Sequence, residues 1–572
     1  MNPRGRYFGQ RFLQIALIVA LAASIISTRT LLAQSTNRQI GTQFEVTADP
    51  LVPRPAEQPC VVPLFANYQF AFFSESTQTF EFTPPGNCSG PWEKVVFEAD
   101  FSENGGVQFD RTASIYLANA NIYFGTTPEP LATLTNTWHV EREITDYSAL
   151  LALPQQGTIV LANCTTDCPP PYNTELNGVF TVNADLEFYP AQGNNGVAPT
   201  PDQVLPLVQS NGSGGLNLPA TLSSPTDQLS TTFTLPTNTE SAYLDVVAQS
   251  QSDDEQWYGC FPTDLIAINE VYGCGNTDFR ESEITIDGHL AGIAPVSPWV
   301  FTGFLPDEWV PIPGLQTLEF VPYRVNLTPF AGLLSNGQPH TIALNVFNDA
   351  DYFSVTASLL LFLDAGSTQV TGGVTQNTLT VPSPVVTQNL HGIATVTGTI
   401  NVASNRSYTI AGFVDTSHGR VTTSIAQQQS FSGTQTIDFD TVNFTVLDQK
   451  TVVENNLASL TTVSNNAGTF ASQQNFGFPI TVDFIYPVDS SPFGFTVATT
   501  QKYHTGEVDT ENGQVTYSAL LNDSLQATDV TPSASSQQYT YVDSLGQSYN
   551  CQIASANAVL TSVSKGCGSN EQ

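Results

Sequence analysis

Positive charge is what this chain has least of. Its 572 residues hold 16 Lys and Arg against 51 Asp and Glu, a formal charge of -35, and the isoelectric point is near 4.1. A surface of that sign repels phosphate backbones and anionic bilayers, which excludes nucleic acid and membranes as expected partners. Helical stripes are also scarce: beyond the N-terminus, only Tyr147 to Leu153, after Thr145, reads as a short turn of helix. There is no Gly-x-Ser-x-Gly elbow and no His-Glu-x-x-His pair, and the six histidines are scattered, so serine-elbow and zincin chemistry are excluded. Asn348-Asp349-Ala350-Asp351 is too sparse for a calcium loop. No metal and no cofactor is expected.

One apolar run is uninterrupted by charge, Ile15 to Ile26, preceded by Arg4, Arg6 and Arg11. It is too short to cross a bilayer and ends in Ser, Thr and Arg29, with Ala33 just before Gln34. Residues 1–33 are therefore expected to be a signal peptide, and the mature protein secreted or periplasmic. In an oxidising compartment the eight cysteines read as disulfides. Loop closure favours sequence neighbours: Cys60 with Cys88, Cys164 with Cys168, Cys260 with Cys274, Cys551 with Cys567. That even count leaves no evident thiol nucleophile.

What the sequence does have is alternation with period two, as in Ile437-Asp438-Phe439 and Ile480 to Tyr486, punctuated by 37 Pro and 40 Gly. Short strands between such breakers predict an all-β fold, and the length predicts more than one domain. Breaker-rich segments at Pro190 to Thr200 and Gly366 to Pro384 delimit a first jelly-roll-like sandwich over 36–190 and a second over 200–365. A third, β-rich domain is expected over 380–567.

The most informative stretch is Val107 to Leu117. Val107, Phe109, Ile115 and Leu117 share one parity, the buried face of a strand; Asp110, Thr112 and Tyr116 share the other. An acid beside Arg111 on an open strand face is either a solvated carboxylate or a functional one. The stretch resembles the first-domain motif of peptide:N-glycanases, in which an Asp-Arg pair carries the essential carboxylate. Colinear segments extend the resemblance: Trp138 to Tyr147, Leu235 to Leu244, Asp253-Asp254-Glu255-Gln256-Trp257-Tyr258 leading to Asp264 to Asn269, Val325 to Phe330, and Arg406 to Phe413. The Asp-Glu-x-Trp-Tyr form is similar to the longer, acid-active branch, peptide:N-glycanase A.

That resemblance implies the following. Asp110 and Glu255 are the catalytic carboxylates, with Asp254 one residue from the second role. Arg111, Trp138, Asp254 and Trp257 contact substrate; Trp138 is either an exposed platform for a sugar face or a core residue. The family's third acid has no clean match at Ile159 to Asn163, leaving its role to Asn163, to another group, or unfilled. The substrates are N-glycosylated peptides and glycoproteins, the bond is the side-chain amide between Asn and the first N-acetylglucosamine, and a monomer is expected. Arg111 should hold Asp110 ionised in mild acid, placing the activity optimum below neutrality. An endoglycosidase would also use paired carboxylates, and a carbohydrate-binding or adhesin protein would share the sandwiches without the catalysis.

Overall fold

The computed structural model describes residues 52–567, leaving out 53, 56, 130–131, 134, 166, 169–175, 192–198, 266–273, 301–310, 444, 488–494, 529–532, 544–547 and 558. The expected signal peptide lies outside the described residues. The described residues are mostly strand, and their sheets are antiparallel.

Two four-stranded sheets make the first sandwich. One orders Cys60–Phe70, Phe180–Pro190, Trp92–Glu103 and Asn136–Glu143; the other orders Thr77–Phe82, Gln155–Leu161, Thr112–Leu117 and Ala120–Thr126. Alternate residues face inward, so Phe70, Phe82, Phe97, Ile115 and Phe188 are fully buried between the sheets. The second sandwich pairs a five-stranded sheet containing Thr239–Gln251, Tyr323–Asn326 and Tyr352–Leu363 with a four-stranded one containing Glu281–Ile286 and Pro339–Phe347. A short α-helix of the first sandwich, Ser148–Leu151, falls within the segment read as helical.

The third unit is a single 12-stranded sheet. Its longest strands, Thr395–Thr416, Gly419–Asp440 and Thr445–Asn465, alternate buried and exposed residues along most of their length. One face, with Val402, Phe431, Val453 and Leu457, joins the second sandwich's core; the other is open. The sheet begins with Thr371–Asn377, inside the Gly366 to Pro384 stretch expected as a boundary. Its Gly and Thr residues form an edge strand against Thr395–Thr416 rather than a linker.

The two sandwiches are tightly joined. The Tyr123 hydroxyl donates to the Leu318 carbonyl at 2.6 Å, the Thr126 hydroxyl to the Thr317 carbonyl at 3.0 Å, and the Phe320 amide to the Phe124 carbonyl at 2.7 Å. Gly125 permits this approach, since a Cβ there would sit 2.2 Å from the Leu318 oxygen. Nearby, Arg324 grips Asp245 through two nitrogens at 2.7 and 2.9 Å, and Asp245 accepts from the Tyr147 hydroxyl at 3.1 Å. All four disulfides join the sequence neighbours expected.

Candidate active site

The site is assembled where the first sandwich's Thr112–Leu117 strand meets the second sandwich's Thr239–Gln251 strand. The Thr112 hydroxyl donates to Gln249 Oε1 at 3.0 Å and accepts from Gln251 Nε2 at 3.0 Å. Asp110 and Arg111 immediately precede that junction. Glu255 follows the second strand after the Ser252–Asp254 3-10 turn. Residues distant in sequence thus converge because two strand ends are clamped together.

The expected strand over Val107 to Leu117 is shorter than predicted. It spans Thr112–Leu117, and Asp110 and Arg111 lie on the approach to it. Tyr116, expected on the open face, is 1 % exposed. The reason is a third layer: the adjoining Ala120–Thr126 strand packs against Gln203–Pro206 and Tyr352–Leu363 of the second sandwich, so this sheet is covered on both faces.

Hydrogen bonds extend the Thr112–Leu117/Ala120–Thr126 ladder backwards. The Arg111 amide donates to the Thr127 hydroxyl at 2.9 Å, and the Thr127 amide to the Arg111 carbonyl at 2.8 Å. Two residues on lies Glu129, an acid between Pro128 and Pro130. It belongs to the same electrostatic cluster as Asp110 and Arg111, and sequence reasoning missed it. The readable signal was an acid held in a stiff Pro-Glu-Pro run at the end of the strand paired with the Asp-Arg segment.

Charge and burial oppose each other here. Burial pushes the Asp110 carboxyl up to about 7, with the Arg111 guanidinium pulling against it. The expectation that Arg111 wins is corrected: desolvation of the carboxylate outweighs the adjacent cation. Glu255 is raised well above the ordinary range, first by burial and then by Asp110 and Glu129. Glu129 is raised likewise, by burial and by Asp110. Asp110 raises both Glu129 and Glu255, Glu129 raises Glu255, and Arg111 pulls Asp110 and Glu129 the other way, so the titration of these three carboxyls belongs to the group. A fourth, Glu103, is fully buried, and neither of its oxygens makes a hydrogen bond among the described residues. Burial, and secondarily Glu129, lift it to about 9.

Arg111 is held in place from behind. Its Nη2 donates to Gln108 Oε1 at 2.9 Å, and Gln108 in turn donates to Asn163. Asn163 is spent on structure: its Nδ2 donates to the Phe70 and Gly178 carbonyls at 2.7 and 3.0 Å. It does not replace a missing acid but orients Gln108, and through it the guanidinium.

Three expected substrate contacts are corrected. Asp254 is completely buried; its Oδ1 accepts from Arg280 Nε and Nη2 at 3.0 and 2.7 Å, its Oδ2 from the Ala350 and Asp351 amides at 2.6 and 2.7 Å. With four donors on two oxygens it anchors the turn that presents Glu255. Trp257 has no exposed surface and packs at 6.3 Å between ring centroids from Phe431 of the third sheet. Trp138 is 3 % exposed and stacks on Phe101 at 5.1 Å and 8°. Both indoles are core residues, because each sits on an inward-facing position of its element. The strand expected after Asp264 begins as a turn of helix at 263–265 and continues outside the described residues.

Fold and site together define an all-β protein whose candidate active site is built from carboxylates and one arginine at the junction of two sandwiches. Residues 50–380 match the family described as peptide N-acetyl-beta-D-glucosaminyl asparaginase amidase A. The chain belongs to that family. It is similar to the peptide-N4-(N-acetyl-beta-glucosaminyl)asparagine amidase A of Prunus dulcis, 28% identical over 459 residues, 77% of each chain. Among solved structures it is similar to PNGase F, a glycosylasparaginase from Flavobacterium meningosepticum: 15% identity, 53% of this chain, 96% of that one, TM-score 0.34. PNGF-II in a C2 crystal form gives 13% identity, 54% and 65% coverage and a TM-score of 0.36.

Proposed function

We propose that this protein is a glycoamidase that hydrolyses the side-chain amide between a glycosylated Asn and the first N-acetylglucosamine of N-glycosylated peptides and glycoproteins. The observation that carries this reading is the strand junction, Thr112 bonded to Gln249 and Gln251 and Arg111 to Thr127, which brings Asp110, Arg111, Glu129 and Glu255 together in a chain of this family. An amide needs an activated water and a proton for the departing nitrogen. Ionised Asp110 takes a proton from water as the oxygen attacks the carbonyl carbon. Arg111 stabilises the oxyanion that forms. Glu255, kept neutral by burial and by its acidic neighbours, gives its proton to nitrogen as the C–N bond breaks. The products are a glycosylamine and a peptide with Asp in place of Asn.

Arg4, Arg6, Arg11 and the apolar run behind them support export of the mature chain, and its disulfides suit an oxidising compartment. We read the working form as a monomer. Asp110 is only partly buried, so solvent moderates its upward shift, and an optimum in mild acid to neutrality follows.

Weighing both products of a defined glycopeptide tests the activity. A glycoamidase raises the peptide by about one dalton per site, because the side-chain amide nitrogen leaves with the glycan. Sugar remaining on the peptide identifies an endoglycosidase, and an unchanged substrate a binding protein.

A further inference from the structure

The open face of the 12-stranded sheet lies almost wholly beyond the residues matched by the family profile. It carries an ordered feature with no part in the chemistry above. Strand register aligns Asn405, Ser430 and Asn456 side by side, then, past Gly477, His504 and Asn522. The row continues to the Ser548–Ala556 strand. A second row, two residues along each strand, includes Gln428, Asn475, Gly506 and Asn550. Eight neighbouring strands are crossed, about 34 Å at the usual strand spacing. Neither row contains an Asp, Glu, Lys or Arg, in a chain of formal charge -35.

The surface is hollowed. Two cavities of about 490 and 610 Å³ lie along the rows and share Asn475 and His504 as lining residues, so they form one trough. Gly477 and Gly506 lie on the rows where the cavities meet, and their missing side chains deepen the floor. A parallel row beyond it presents exposed apolar side chains at Leu460, Val508 and Val542.

We propose that this trough is a carbohydrate-binding surface, separate from the cleft of Asp110 and Glu255, for an uncharged, extended oligosaccharide. Side-chain amides offer donors and acceptors together, as the hydroxyls of a sugar require. Leu460, Val508 and Val542 offer apolar contact for the C–H faces of the rings. An anionic or cationic ligand would find no carboxylate, ammonium or guanidinium on the rows; Arg406 and Glu507, which also line the cavities, belong to the opposite face, where they bond Glu281 and Gln474. A protein partner would bury an aromatic or apolar centre, and the two rows contain no Trp, Tyr or Phe. Strand addition is blocked across the trough because these strands are already paired on both sides. The function is to hold the enzyme on glycan-rich material while the cleft works, so the purpose, though not the binding, rests on the glycoamidase reading.

The test is direct binding to the full chain, by calorimetry or saturation-transfer NMR. The probes are a neutral high-mannose oligosaccharide already released from peptide and an acidic sialylated one. Wild type and Asp110→Asn should bind the neutral probe equally and the acidic probe more weakly. The triple variant Gln428→Ala, Asn456→Ala, Asn475→Ala should bind the neutral probe at least about tenfold more weakly, three lost hydrogen bonds being ample for that, with an unchanged melting temperature. Absence of wild-type binding at low-millimolar probe, or equal affinity in the triple variant, overturns the proposal. Loss of binding in Asp110→Asn alone would place the sugar in the cleft and overturn it too. Glycan release does not enter this readout, so failure of the proposed activity would leave it intact.

Discussion

Replacing Asp254 by Asn leaves the buried Arg280 guanidinium without the carboxylate that grips it through two nitrogens. Both side chains are fully buried, so no solvent screens the change. Breaking one partner of such a pair costs about 3–5 kcal/mol, most of it the uncompensated charge left behind. The Asn oxygen can still accept from one partner, and its new NH2 group faces a second donor, so little of the cost is recovered. If the second sandwich and its neighbours melt as a unit of about 200 residues, the midpoint falls by roughly 6–20 °C. The neighbouring change, Glu255→Gln, should behave in the opposite way. Burial, Asp110 and Glu129 all disfavour ionised Glu255, so a neutral isostere should leave the melting temperature unchanged in acid and raise it at pH 7. Glycan release should instead fall about a hundredfold or more. Calorimetry and a glycopeptide assay on both variants decide the matter. A stable, inactive Asp254→Asn beside an active Glu255→Gln would show that the two roles have been exchanged.

Asp110→Asn should abolish glycan release with the fold intact; more than about a tenth of wild-type activity would exclude Asp110 as the base. Glu129→Gln should lower kcat and shift the pH profile, since Glu129 raises Glu255; a profile identical to wild type would remove Glu129 from the cluster. The acid limb of kcat/KM should lie above the ordinary Asp value of about 4 and reach at most about 7, the value to which burial lifts Asp110. Because Arg111 lowers that pKa, Arg111→Met should move the limb to higher pH, and a shift the other way would refute the assignment. Glu103 is raised in the fold to about 9, so its contribution to stability is full below the unfolded value near 4.3 and lost as pH rises through 9. Glu103→Gln should therefore stabilise the protein at pH 7 by up to about 4 kcal/mol and have no such effect at pH 4; equal melting shifts at both pH values would contradict this.

Local chemistry was legible in the sequence. Period-two alternation specified strands because a sheet has two faces, and it remains visible in the long strands of the third unit. Cysteine spacing specified the four bridges because short loops close most readily. The Asp110-Arg111 pair and Glu255 stood out because their segments resemble known motifs. The tertiary structure decided how those residues are used. Trp138, Trp257 and Asp254 sit in segments that read as binding elements, yet packing from the opposite sheet, the third unit and Arg280 buries them. Glu129 and Glu103 carry no motif of their own. They enter the cluster because Thr127 bonds back to Arg111 and because the Trp92–Glu103 strand ends nearby. The pKa of Asp110 reversed its expected direction for the same reason: an adjacent cation can be read from sequence, whereas the water removed by two sandwiches closing on each other depends on the assembled fold.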